Sequence, residues 1–273
     1  MDSSRITAAI WTWGINKPEQ MELAAKEVTE IGYKSFESIK QAIYAYDLNL
    51  SAYKEVLDRY GLKPVSFYFH LPEFGTEDAV FNTLDRELEF IAALGVDRLC
   101  LQATAGRPDV MDEAKLAAEA ALVGRFAART KRFGITTNIH NHHNTWVMYE
   151  NEVNNVLDNN DPSVLSFAPD TAHLVAGNCD PVKVIRKYAD RVNFIHLKDF
   201  AGGNLEVTGE VSPGVDVYAN FCELGQGIVD FRQVFDILKG VGYEGPLCEE
   251  LDRAPVSNYL SAKKNFEYIL NNY

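Results

Sequence analysis

Eight short runs rich in β-branched and aromatic residues recur roughly every 30 residues along this chain, separated by longer stretches with helical periodicity. The runs occupy 6–11, 34–38, 63–69, 98–102, 135–140, 164–169, 192–196 and 245–250. Between the first two, Pro18–Ile31 opens on proline, sets Leu23, Ala24, Val28 and Ile31 on one stripe, and stops at Gly32. Segment 112–133 places Leu116, Ala120, Val123, Phe126 and Ala127 three and four residues apart and ends at Gly134. Segments 181–188 and 230–238 read the same way. Strands alternating with helices form a parallel sheet, and eight is the number that closes into a (β/α)8 TIM barrel. A doubly wound open sheet is the rival, but no glycine-rich phosphate loop follows the first strand, where the chain reads Trp11-Thr12-Trp13-Gly14. The barrel is the expected fold, as one domain over residues 1–273.

Length agrees, since such barrels take about 250 residues. With 47% hydrophobic and 24% charged residues, a substantial core is expected. The net charge of −13 and pI near 4.9 argue against a nucleic-acid partner, which would need basic patches. No apolar run approaches the roughly 20 residues of a membrane span, and the N-terminus lacks a signal-peptide pattern. Cys100, Cys179, Cys222 and Cys248 show no CxxC spacing and read as reduced thiols, so a cytoplasmic location is the expectation. Assembly into a homo-oligomer is left open.

Unusual polar residues gather at the ends of strands five to eight. They are His140-Asn141-His142-His143, then Asp170 with His173 three residues on, then His196-Leu197-Lys198-Asp199, then Glu249-Glu250-Leu251-Asp252. In a closed barrel these adjacent ends surround one cavity, where such enzymes keep their chemistry. His140, Asp170, His196 and Glu250 would each offer one donor to a common divalent cation. Two nitrogens and two oxygens suit Mn²⁺ or Co²⁺, with Mg²⁺ and Zn²⁺ as alternatives. Alternation puts Leu247 and Glu249 on one side of the last strand and Cys248 and Glu250 on the other. It does not say which side faces in.

Near the other strand ends, Trp13 and His70 are candidate substrate-binding residues, an aromatic face for a ring and an imidazole for hydroxyls. The segment 200–227 is too polar and glycine-rich for a regular helix and too long for a plain connection, so a lid or site wall is expected there.

These residues resemble the xylose isomerase-like barrels of the sugar isomerase/epimerase group, nearest to its inosose dehydratase branch. The stretch PDTAHLVAGNCDPVKVIRKYADRVNFIHLKDF is similar to that branch's DTGH segment running into HLKD. LGQGIVDF followed by GYEGPLCEELD is similar to LGxGxVDF followed by G(Y/F)xGxLxxEQD, and IHNHHNT is similar to YHxHxGT. The resemblance implies metal ligands at His140, Asp170, His196 and Glu250, and substrate or acid–base roles for His142, His173 and Lys198. In the ketose epimerases a glutamate usually stands at position 140, one of two carboxylates that carry the proton on opposite faces. Histidine here fits the dehydratases better.

The implied activity is a metal-dependent lyase (hydro-lyase) that dehydrates a keto-cyclitol or keto-sugar through a metal-stabilised enediolate. The alternatives are a ketose isomerase or epimerase acting on an unphosphorylated sugar, and eliminative cleavage of 3-keto-glycosides. The implied substrate is a small polyhydroxy ketone. His142 and Lys198 are the expected catalytic base and acid, in an order left open, and a lysine beside a cation is expected to have a lowered pKa.

Overall fold

The computed structural model describes residues 2–202 and 216–273. Eight parallel strands form one sheet in the order β6-β5-β4-β3-β2-β1-β10-β7. They are β1 (Ile6–Ala9), β2 (Ser35–Ile39), β3 (Lys63–His70), β4 (Arg98–Gln102), β5 (Thr136–His140), β6 (Leu165–Ala168), β7 (His196–Leu197) and β10 (Leu247–Glu249). Isolated parallel bridges Phe167–Val192 and Asp170–His196 span the remaining gap between β6 and β7, so the barrel is nearly closed. A short antiparallel pair, β8 (Asp199–Phe200) and β9 (Phe221–Cys222), sits above β7.

Helices α1 (Pro18–Ile31), α2 (Lys40–Ala45), α3 (Leu50–Tyr60), α4 (Asp78–Ala93), α5 (Glu113–Lys131), α6 (Glu150–Asp158), α7 (Thr171–Ala176), α8 (Pro181–Lys187), α9 (Phe231–Gly240) and α10 (Asn258–Asn272) follow the strands. Their starts follow the capping chemistry of the sequence. The carboxylates of Asp112 and Asp230 accept the backbone N–H groups of Lys115 at 2.9 Å and Gln233 at 3.0 Å, and proline opens α1 and α8. The main core lies between sheet and helices, where outward side chains such as Phe69 of β3 meet Phe126 of α5. All four cysteines are free, three of them buried, and among the described residues no helix is long and apolar enough to cross a membrane.

The observed bounds differ from those expected where geometry intervenes. The first strand ends at Ala9, because Trp11–Trp13 form a 3₁₀ turn closed by Gly14 in the left-handed region (φ 77°). The seventh begins as the single bridge at Val192 and becomes continuous only at His196. Of the expected lid, residues 203–215 lie outside the described residues. Its returning end is anchored: the Asp199 carboxylate accepts backbone N–H groups from Phe200, Gly225, Gly227 and Val229 at 2.8–3.1 Å. Gly227 permits that approach, since a Cβ there would lie 2.3 Å from the Phe200 carbonyl oxygen.

Candidate metal centre and active site

Strand alternation sorts the barrel interior into layers. Ala9, Tyr68, Cys100, Ala168, Phe194 and Cys248 make an apolar floor. Above it, toward the C-terminal strand ends, stand Glu37, His140, Asp170, His196, Lys198 and Glu250, all buried.

His140, Asp170 and His196 each bring one donor atom to a common point, all within 4.8 Å of one another. The Nδ1 atoms of the two histidines face each other at 3.0 Å. From behind, Glu37 holds His196 Nε2 and itself accepts from Ser66 Oγ at 2.6 Å. Burial works against a charge on His196, but Glu37 and Glu250 outweigh it and push its pKa up to about 9. Burial first, and the neighbouring His196 second, holds His140 well below the usual range, so that ring is a neutral donor. Asp170 Oδ2 and Glu250 Oε2 are buried and have no hydrogen-bond donor among the described residues; their cationic contacts there are Lys198 Nζ at 3.2 Å and His196 Nδ1 at 3.3 Å. Two facing ring nitrogens beside two under-satisfied carboxylate oxygens fit a divalent cation. A second grouping, Glu37, His196 and Cys248, fits less well: the buried thiol is raised well above its usual pKa, and Glu37 already occupies that side of the histidine.

Glu250 stands one step outside the tight trio, because Lys198 Nζ holds its Oε1 at 2.7 Å. The same ammonium contacts Asp252 Oδ2 at 2.9 Å and lies 4.5 Å from the Phe221 ring centroid. The lowered pKa expected for Lys198 belongs to a lysine beside a bound cation; within the protein itself, burial and the carboxylate neighbours set that pKa. Burial lowers it, but Asp170, Asp252 and Glu250 raise it well above the ordinary lysine value. Glu250 is raised to about 8, first by burial, with Lys198 opposing.

His142 and His173 stack with centroids 3.8 Å apart, and His140 lies about equally near both, at 5.8 and 6.0 Å. Tyr218 and Phe221, from the returning end of the 200–227 segment, close over them, with Phe221 4.7 Å from His173. Those two described residues are a wall of the site.

Of the two residues expected to bind substrate near the other strand ends, one is placed away from the site. Trp13 does not join the site: its Nε1 donates to Glu27 of α1 at 2.6 Å and its ring is buried in the outer core. Trp11 takes that place, 5.4 Å from Tyr68 and edge-on to His196 at 5.8 Å. In a strand, residues two apart share a side; in a 3₁₀ turn of three residues they do not. His70 sits at the rim, its ring exposed and packed edge-on to Tyr68 at 4.9 Å. Sequence reasoning passed over Tyr68, which touches Trp11, His70, His140 and His196, and whose hydroxyl donates to Gln102 Oε1 at 3.0 Å. Its position two residues before His70 was the available signal. A cavity of about 760 Å³ opens at the opposite end of the barrel by Arg5, Lys63, Arg98 and Glu244, and holds none of these groups.

A model of the xylose isomerase-like TIM barrel family matches residues 25–270. An inosose dehydratase of Clostridium tetani is 33% identical over 120 residues, 42% of this chain and 40% of that one. The chain thus spans less than half the length of the curated relatives it matches. Among solved structures, a probable 3-DHS dehydratase, AsbF, from Bacillus anthracis superposes with a TM-score of 0.78 at 11% identity, covering 98% of this chain and 100% of that one. The IolI protein with a bound zinc atom superposes with a TM-score of 0.74 at 15% identity, covering 96% and 94%. At such identities these structures speak for the fold.

Proposed function

This chain belongs to the xylose isomerase-like TIM barrel family, and on that premise we propose that it is a divalent-metal-dependent lyase that dehydrates a keto-cyclitol or keto-sugar. The observation that carries the reading is the convergence of His140, Asp170 and His196 at one buried point, with Glu250 beside it and two proton-handling groups, His142 and Lys198, on its flank. The similarity to inosose dehydratase supports the substrate class.

His140, Asp170, His196 and Glu250 would hold the cation. When bound, it would polarise the ketone and acidify the neighbouring C–H bond. The protein's own groups do the rest. His142 and Lys198 share the proton work: one takes the proton from the carbon next to the carbonyl, and the other gives a proton to the β-hydroxyl. That hydroxyl leaves as water while the electrons of the broken C–H bond form the C=C bond. Trp11 and Tyr68 offer ring faces to the substrate's apolar side, and His70 and Gln102 offer hydrogen bonds at the rim. Tyr218 and Phe221 limit water access from above. Epimerisation by two opposed carboxylates lacks one of its pair here, since residue 140 is histidine.

Incubation with inososes and 3-keto-sugars in D₂O tests the reading. Loss of water with appearance of an unsaturated or dione chromophore is expected; deuterium exchange at the α-carbon without elimination would overturn it in favour of an epimerase. A substitution pair checks the aromatic wall. Trp11→Leu is expected to raise KM about tenfold, the scale of one lost ring contact. Trp13→Phe should instead lower stability by about 1 kcal/mol through the lost Glu27 hydrogen bond and leave KM alone.

A further inference from the structure

His142 and His173 are stacked neighbours, yet their ring nitrogens are fixed in opposite senses by the backbone of a single residue. His142 Nδ1 lies 2.8 Å from the carbonyl oxygen of His143, which can only accept, so Nδ1 carries the hydrogen. His173 Nδ1 lies 3.1 Å from the backbone N of His143, which can only donate, so that Nδ1 carries a lone pair. In the neutral rings the other nitrogens follow. His142 Nε2 has a lone pair, and His173 Nε2 has an N–H, which is buried and has no partner among the described residues.

The turn that presents these peptide groups is held at several points. His142 N–H donates to the Val147 carbonyl at 3.0 Å, Thr145 Oγ1 donates to the His142 carbonyl at 2.9 Å, and Trp146 N–H donates to the Thr104 carbonyl at 3.0 Å. Asn144 completes the turn in the left-handed region at φ 59°, a conformation asparagine tolerates better than most residues. The directions of the His143 N–H and carbonyl are therefore built in before any ligand arrives.

We infer that His143 is a positioning residue whose backbone locks His142 and His173 into opposite tautomers, so that the site presents one lone pair and one N–H side by side to the substrate. The inference rests on the proposed lyase reading for what these groups act upon, and on hydrogen-bond geometry alone for the tautomers. It divides the proton work. Of the two stacked rings, only His142 turns a lone pair outward at Nε2, while Lys198 Nζ lies 3.2, 2.7 and 2.9 Å from the carboxylates of Asp170, Glu250 and Asp252. His142 Nε2 is accordingly the group that takes the proton from the carbon beside the ketone. Lys198 supplies the proton with which the β-hydroxyl leaves as water, and His173 Nε2–H donates a hydrogen bond to a substrate oxygen. Exchange with solvent then returns the proton from His142 and restores that of Lys198.

Nitrogen NMR of the Mg²⁺-loaded protein with ring-¹⁵N histidine tests the lock, with resonances assigned by their loss in His142→Gln and His173→Gln. Expected are a pyrrole-like Nδ1 and pyridine-like Nε2 for His142, the reverse for His173, and the same pattern in His143→Ala, which keeps both peptide groups. The same tautomer in both rings, or an imidazolium in either at neutral pH, would overturn the inference. Turnover adds a second measure. His173→Gln places an amide N–H near the lost Nε2–H and should retain about tenfold more activity than His173→Leu, whereas glutamine and leucine at position 142 should both lose about 10²-fold or more, as for a removed base. Equal losses for the two residue-173 variants would count against the donor role. Opposite tautomers in a protein that eliminates no water would sink the lyase reading and leave the lock standing.

Discussion

Asp170→Asn is expected to bind no stoichiometric divalent metal and to lose turnover by about 10³-fold, with folding stability unchanged to within about 1 kcal/mol. The two oxygens of this carboxylate have separate duties. Oδ1 accepts the His173 N–H at 2.7 Å and caps α7, and asparagine caps a helix as well as aspartate does. The Asp170 backbone N–H and carbonyl bond the Asn141 side chain at 3.0 and 3.2 Å, which the substitution leaves in place. Oδ2 is the buried oxygen with no hydrogen-bond donor among the described residues, and its charge is what disappears. Lys198 keeps Glu250 and Asp252 after the change. Lewis-acid assistance worth several kilocalories per mole corresponds to about three decades in rate. Metal analysis and steady-state kinetics on a folded variant decide the matter; full metal occupancy with intact turnover would remove Asp170 from the site.

Lys198→Met carries the largest expected cost in stability. The methionine keeps much of the stem's volume beneath Phe221 but leaves Asp170, Glu250 and Asp252 without their shared counter-charge. Breaking a buried ion pair by removing one partner costs about 3–5 kcal/mol. The loss should depend on pH, with a definite sign. Glu250 already has a folded-state pKa of about 8 against 4.5 unfolded, and Lys198 is the neighbour that pulls it down. A raised carboxylate binds protons in the native state that the unfolded chain has released, so its contribution is complete below the unfolded value and is lost as pH rises toward the folded one. Without the lysine the folded value climbs further. The deficit of the variant relative to the parent should therefore be constant between about pH 5 and pH 7, where Glu250 is protonated in both folded proteins, and widen above about pH 8, where only the parent's Glu250 ionises. The stabilising charge of Lys198 itself, whose folded pKa is raised, is present throughout that window. Urea unfolding of both proteins in chelator at about pH 6 and about pH 9 measures the difference; the same deficit at both would refute the account.

The barrel was legible because its signals are local and repeated. Strand runs need only side-chain shape, and the helices between them announce their starts with Pro18, Asp112, Pro181 and Asp230. The clustering of histidines and acids at four consecutive strand ends was legible for the same reason, since alternation is a property of the strand alone. Glu249 and Glu250 illustrate its limit. Alternation put them on opposite faces, and the structure turns Glu249 outward to Asn265 of α10 at 2.8 Å and Glu250 inward to His196 and Lys198.

The exchange of Trp13 for Trp11 shows where that reasoning fails. A two-residue shift from strand to 3₁₀ turn reassigns which indole reaches the site, and nothing in Trp-Thr-Trp-Gly distinguishes the two conformations. The protonation of Lys198 was also beyond the sequence. Its state depends on Asp170 and Glu250, 28 and 52 residues away, and on Asp252, which only the closed barrel brings within 2.9 Å.

By itself, the sequence determined the alternating βα architecture, the barrel count and the strand ends at which the reactive side chains would collect. Those follow from backbone geometry and hydrophobic periodicity, which act over a few residues at a time. Only the tertiary structure decided which backbone atoms face the histidine ring nitrogens, which carboxylates share the lysine's charge, and which tryptophan packs against His196. Each of those depends on distances between segments far apart along the chain, and electrostatics and hydrogen bonding at about 3 Å change sign with displacements too small for any sequence pattern to encode.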